Sequence, residues 1–143
     1  MNKIVTIVLT FLFMWVIPCA QLNAQKFHSD NGDGTYTNPV INADFPDPDV
    51  ILVGDTYYMV TTTMFVFPGV TVLKSHDLVN WEYCSNAVPR FDFHRSYNLE
   101  GGHRYAHGQW ATSIKYHKGK FHLLFITLDE GGFLCTAANA EGP

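Results

Sequence analysis

The chain has 143 residues, 47% hydrophobic and 15% aromatic, and carries a formal net charge of −4. That length suits one domain. No basic patch runs through it, which excludes nucleic acid as a partner, and the mildly acidic, aromatic-rich balance suits a neutral one.

Lys3 gives the chain a short positive start, and Ile4 to Val16 is apolar apart from Thr6 and Thr10. Pro18, Cys19 and the run Gln21 to Ala24 follow. This pattern predicts a secretory signal peptide over residues 1–24, cleaved after Ala24, and so a periplasmic or extracellular protein. The apolar run is shorter than a membrane span requires, and no stable membrane insertion is expected after cleavage. A lipid anchor on Cys19 is the alternative, disfavoured by Pro18 ahead of it. Removing the segment takes Lys3 and no acid, so the remainder is more acidic. Residues 25–37 read as a linker or tight turn, with Asn31, Gly32, Asp33 and Gly34 together. Asp30, Asn31 and Asp33 faintly resemble a calcium loop, but its closing Glu is missing and no metal site is expected.

The organising stretch is NPVINADFPDPDVILV, Asn38 to Val53. Asp44, Asp47 and Asp49 sit among prolines ahead of an apolar run. A residue before proline is pushed towards extended backbone, so Phe45 and Asp47 are expected to be extended. Pro48 offers no N–H, so the next strand starts there or lies at a sheet edge. A carboxylate held at the mouth of such a strand can act as a general base. A plain Asp- and Pro-rich turn is the alternative reading.

Strands are predicted at 50–53, 56–63, 70–74 and 82–87, a four-stranded antiparallel meander. A second set is predicted at 110–116, 121–128 and 133–138. Asp77 is expected to cap a turn and Trp81 to anchor the strand after it. The fold class is all-β, and the repetition marks propeller blades, with a β-sandwich as the alternative. Phe121 to Leu128 is apolar on both faces and is expected to be buried on both. Fewer than two complete blades cannot close a propeller, so the chain reads as the N-terminal piece of a longer protein, ending in mid-blade. Taken alone, it would expose blade faces and strand edges. Cys84 and Cys135 could pair in an oxidising compartment or stay as two buried thiols.

Three stretches carry a resemblance. NPVINADFPDPDVILVGDTYYMVTTT resembles the opening of glycoside hydrolase family 43, where an Asp-Pro pair precedes the first inner strand. FPGVTVLKSHDLVNWEYCSNAV resembles its third and fourth strands, and GQWATSIKYHKGKFHLLFIT its second-blade opening with a Trp-Ala pair. The Phe-Pro-Gly-Val stretch resembles the branch of β-xylosidases and α-L-arabinofuranosidases, and Thr112 departs from the proline many relatives carry. The resemblance covers residues 38–143. It implies the first two blades, the second incomplete, of a five-bladed β-propeller that hydrolyses xylose- or arabinose-containing glycans with inversion and without a cofactor. It places the general base at Asp47. The general acid, a Glu, and a second Asp come from later blades; Glu130 and Glu141 do not match the acid's motif. Inversion needs the two carboxyl groups roughly 6.5–9.5 Å apart, with room for water between them.

For an oligo- or polysaccharide partner, Trp110 is a candidate apolar wall or inter-blade core. Phe65 and Phe67 are candidates to border the same pocket. Arg104 and His107 could contact a substrate hydroxyl or lie in a solvated loop. His103 and His107 have the spacing of helical metal ligands, but Gly101, Gly102 and Gly108 argue against a helix. Two other readings stand beside the enzyme: a sugar-binding propeller without catalysis, and a secreted β-rich structural or adhesion protein.

Overall fold

The computed structural model describes residues 29–142. The signal peptide over 1–24, Cys19 and the start of the linker lie outside them.

The first sheet contains β1 (Asp49–Val53), β2 (Thr56–Val60), β3 (Gly69–Ser75) and β4 (Glu82–Val88), antiparallel and in chain order. The second contains β5 (Trp110–His117), β6 (Lys120–Thr127) and β7 (Gly131–Ala137), again in order. A short 3-10 helix, Arg95–Asn98, interrupts the loop between the sheets. Each hairpin turn is written locally. Gly54 carries positive φ between β1 and β2, and Lys118 and Gly119 both do between β5 and β6. Paired positive φ matches the right-handed twist of the strands it joins. Asp77 accepts the amides of Val79 and Asn80 at 2.8 and 2.7 Å, and Trp81 donates its indole N–H to Leu78 O at 2.9 Å. Residues 29–37 form a hydrogen-bonded turn in which Asp30 bridges to Tyr36, and Asn80 Nδ2 ties that turn to the β3–β4 connection through Asp30 at 2.9 Å.

One expectation is corrected. β2 ends at Val60, not residue 63. Thr62 N–H goes to Pro46 O at 3.0 Å and Thr63 N–H to Gln109 Oε1 at 2.8 Å, so these amides serve the neighbouring segments. In this chain β6 is buried on one face, and its other apolar face is an exposed blade face, as expected of this stretch taken alone. Phe121, Leu123, Phe125 and Thr127 point inward, while Leu124, Ile126 and Leu128 are exposed, by 55%, 47% and 59%. The period-2 alternation of a strand puts these two apolar sets on opposite faces, and the first sheet covers one of them.

The core lies between the sheets, where Val60, Val70 and Val72 meet Ile114, Phe121 and Leu123. Tyr58 packs edge-on against Phe121 with centroids 5.0 Å apart. A second group gathers under the long loop, where Phe91 stacks on Phe125 at 6.0 Å and on Phe133 at 5.8 Å. An apolar cavity of about 150 Å³ between the sheets is lined by Val72, Ile114, Phe121, Leu123 and Cys135 among others. Cys84 and Cys135 are free thiols, and burial pushes both above the ordinary thiol range.

Several polar ties fix one sheet against the other. Asp49 Oδ2 accepts from Ile114 N at 2.9 Å and Ser113 Oγ at 3.0 Å. Met64 and Gln109 exchange backbone hydrogen bonds of 3.0 and 2.7 Å. The fully buried Gln109 side chain accepts from Thr63 N and Thr63 Oγ1 and donates to Thr112 Oγ1 at 2.6 Å. Gly108 permits the approach: a Cβ there would sit 1.7 Å from Met64 O.

Candidate active site

Antiparallel register decides which loops share an end. Asp49 pairs with Val60, Trp110 with Ile126 and Thr127 with Gly131. The mouth of β1, the β2–β3 loop, the mouth of β5 and the β6–β7 turn therefore lie at corresponding ends of their sheets. The Met64–Gln109 bridge joins those ends. Asp47, Phe65, Phe67, His107 and Trp110 all belong to these segments.

The three acids of the organising stretch take different environments. Asp44 is exposed. Asp49 opposes its own burial with hydrogen bonds from Ile114 and Ser113 and the nearby Lys115 charge, which together hold its carboxyl below the usual range. Asp47 is exposed, and its Oδ2 accepts from Thr62 Oγ1 at 2.7 Å. The expectation of extended backbone at Asp47 is corrected: its φ is +50°. Thr62 bonds both sides of this residue, the Pro46 carbonyl through its N–H and the Asp47 carboxylate through its hydroxyl. These bonds hold Asp47 in the left-handed region against the extended preference of a residue before proline. Met64, Ala106 and Ala111 also have positive φ, at 51°, 60° and 42°. Left-handed non-glycine residues are costly and gather at functional sites.

Trp110 is half-buried and donates its indole N–H to Ala106 O at 2.9 Å, which fixes the ring beside the mouth of β5. Phe65 is partly exposed and meets Tyr105 at 4.8 Å. Phe67 turns towards the core, edge-on to Phe91 at 4.7 Å and Tyr97 at 6.2 Å. His107 Nδ1 lies 2.9 Å from Asp129 Oδ2, which also bonds the Arg104 guanidinium. The Tyr97 hydroxyl donates to Glu130 Oε2 at 2.8 Å and lies 3.1 Å from His107 O. Its burial, then the Glu130 hydrogen bond and charge, raise its phenol well above the ordinary range. Glu130 also accepts from Thr127 Oγ1 at 2.7 Å, so its carboxylate braces the long loop against the β6–β7 turn. Among the described residues no group of three or more His, Cys, Asp or Glu side chains is placed to hold a metal ion.

Thr62, Gln109, Tyr105 and Asp129 were not singled out from sequence. The run Thr61-Thr62-Thr63 reads locally as strand, because β-branched residues favour strands. Its role as a junction appears only when residues 49 positions apart meet, as Thr62 and Ala111 do.

Two antiparallel meanders packed together, each with its first strand opening on the same end, define consecutive blades of a β-propeller with a carboxylate at the mouth of the first. The sequence comparisons agree. The model for glycosyl hydrolases family 43 matches residues 36–143. A putative β-xylosidase of Xylanibacter ruminicola is 45% identical over 118 residues, covering 82% of this chain and 21% of the relative. A β-xylosidase of Formosa agariphila is 39% identical over 114 residues, covering 80% of this chain and 19% of the relative. Among solved structures, a bifunctional GH43-CE protein of Bacteroides eggerthii superposes with TM-score 0.71 at 43% identity, covering 75% of this chain and 14% of that one. The chain belongs to glycoside hydrolase family 43. It spans about a fifth of the length of the curated relatives it matches.

Proposed function

We propose that this chain forms the first two blades of a longer, exported glycoside hydrolase that inverts at xylose or arabinofuranose residues, with Asp47 as general base. The observation that carries the reading is the Asp47 carboxylate itself: exposed at the mouth of the first inner strand and hydrogen-bonded by Thr62 at 2.7 Å. In the reaction Asp47 takes a proton from water as the water oxygen attacks the anomeric carbon. The glycosidic C–O bond breaks, and a carboxylic acid on the opposite side of the sugar gives its proton to the leaving oxygen. Trp110 and the Phe65–Tyr105 pair offer apolar ring faces to the sugar, and His107 and Arg104 supply polar contacts. The relatives named as β-xylosidases support the substrate class. The apolar face of Leu124, Ile126 and Leu128 supports a further blade packing there.

The reading is tested on aryl β-xylosides and α-L-arabinofuranosides, with the 143-residue chain and the longer protein assayed side by side. The longer protein turns over at least one class. The chain alone lacks general acid help, worth about 10²–10⁴ in rate, as well as most of the substrate pocket, and shows no measurable turnover. Strong turnover by the chain alone would show that the acid lies within it and that the site is wrongly assigned.

A further inference from the structure

We infer that Thr62 is a positioning residue for the base, a hydroxyl switch-point that ties the Asp47 carboxylate to the mouth of the second inner strand. The inference rests on the reading of Asp47 as general base. Thr62 is buried beneath two exposed residues, Asp47 and Ala111, and bonds both. Its Oγ1 accepts the Ala111 N–H at 2.8 Å and lies 2.7 Å from Asp47 Oδ2. A hydroxyl has one proton to give. The Ala111 amide can only donate, so it occupies a lone pair on Oγ1, and the ionised carboxylate can only accept. The Thr62 proton is therefore directed at Oδ2. The rotor is locked by its two partners, and the β-branched side chain restricts χ1 further. Oδ1 is left as the carboxylate oxygen that Thr62 does not engage, available to a water.

The backbone is arranged to make this bond. The β5–β6 ladder slips between Trp110 and Ser113, so Ala111 falls within an irregularity where its N–H is released from pairing. Such irregularities re-aim groups near the rims of sheets. Ala111 also has φ +42°, and Asp47, on the other side of the hydroxyl, has φ +50°. Both partners of Thr62 thus hold a backbone conformation that L-residues disfavour. A third bond, from Thr62 N–H to Pro46 O at 3.0 Å, anchors the threonine itself. Base geometry is consequently set by both blades, with Thr62 Oγ1 as the shared atom.

The test uses the longer protein, with steady-state kinetics on an aryl glycoside it turns over. Thr62→Val keeps the shape and removes the hydroxyl. Its kcat falls at least tenfold while KM stays within about twofold, because the water-activating geometry is lost and the sugar contacts are not. Thr62→Ser keeps the hydroxyl and retains kcat within about threefold. In an Asp47→Asn background, Thr62→Val costs no further rate. An unchanged kcat in Thr62→Val, a serine variant as impaired as valine, or a full additional loss in the Asn background would each overturn the inference. If valine does not fold, the serine variant decides alone, and a tenfold loss in it overturns the claim. Full activity in Asp47→Asn would instead sink the reading of the base.

Discussion

Gln109→Ala should strike the junction between the blades harder than any surface change. Gln109 is fully buried, and its side chain satisfies the Thr63 amide at 2.8 Å, the Thr63 hydroxyl at 3.0 Å and the Thr112 hydroxyl at 2.6 Å. Truncation removes all three partners. A buried polar group left without its partner costs about 1–3 kcal/mol. The Thr63 hydroxyl can rotate towards another acceptor, so only the Thr63 amide and the buried Thr112 hydroxyl are charged here, at about 1 kcal/mol each. The void left by the removed side-chain atoms adds about 1 kcal/mol. The total of about 3 kcal/mol is a large part of the roughly 5–15 kcal/mol that holds a domain folded. With a urea slope of about 2 kcal/mol per molar, the unfolding midpoint should drop by about 1.5 M. Asp44→Ala, at an exposed position, serves as control and should stay within about 0.5 kcal/mol of the parent. A Gln109→Ala midpoint within about 0.3 M of the parent would refute the assignment of this side chain as a polar tie between the sheets.

Gly108→Ala should be at least as damaging, because the new methyl carbon would fall 1.7 Å from the Met64 carbonyl oxygen and must part the two loops; soluble yield and thermal midpoint read it, and a parent-like midpoint would contradict the packing. Asp49 has a folded-state carboxyl held below the usual range by Ile114, Ser113 and Lys115 against the opposing effect of burial. Its contribution is present above the unfolded carboxylate pKa and fades as pH falls through the lower folded value. Asp49→Asn should therefore lower stability near neutral pH and show less loss on acidification, measured as thermal midpoint against pH; parallel curves would show that the carboxylate charge carries no part of the tie.

The fold was legible because its signals are local. Alternating apolar residues, the Gly54 and Lys118–Gly119 turns and the Asp77 cap each act within a few residues, and the strands they bound agree with the structure to within a residue or two at most ends. The misjudged boundary was that of β2, where Thr62 and Thr63 look like strand but give their amides to Pro46 and Gln109. Those partners are distant in sequence, so no local pattern announces them. The same holds for Asp47. Its two flanking prolines argue for an extended backbone, and only the bonds to Thr62, just past the end of β2, reverse that preference. Phe65 and Phe67 show the converse: two positions apart and alike in type, one meets Tyr105 at the surface and the other joins the Phe91 cluster. Loop backbone geometry separates them, and composition carries no trace of it.

The central claim is that Asp47 takes the proton of the attacking water. Asp47→Asn keeps the size of the side chain and the acceptor for Thr62, yet cannot accept that proton. The direct measurement is kcat of the longer protein and its Asp47→Asn variant on the same aryl glycoside, with sugar binding followed by calorimetry and folding by thermal midpoint. The account predicts a fall in kcat of at least about 10²–10⁴, the usual worth of a general base, with binding and midpoint close to the parent. A variant that binds, folds and turns over like the parent would contradict it.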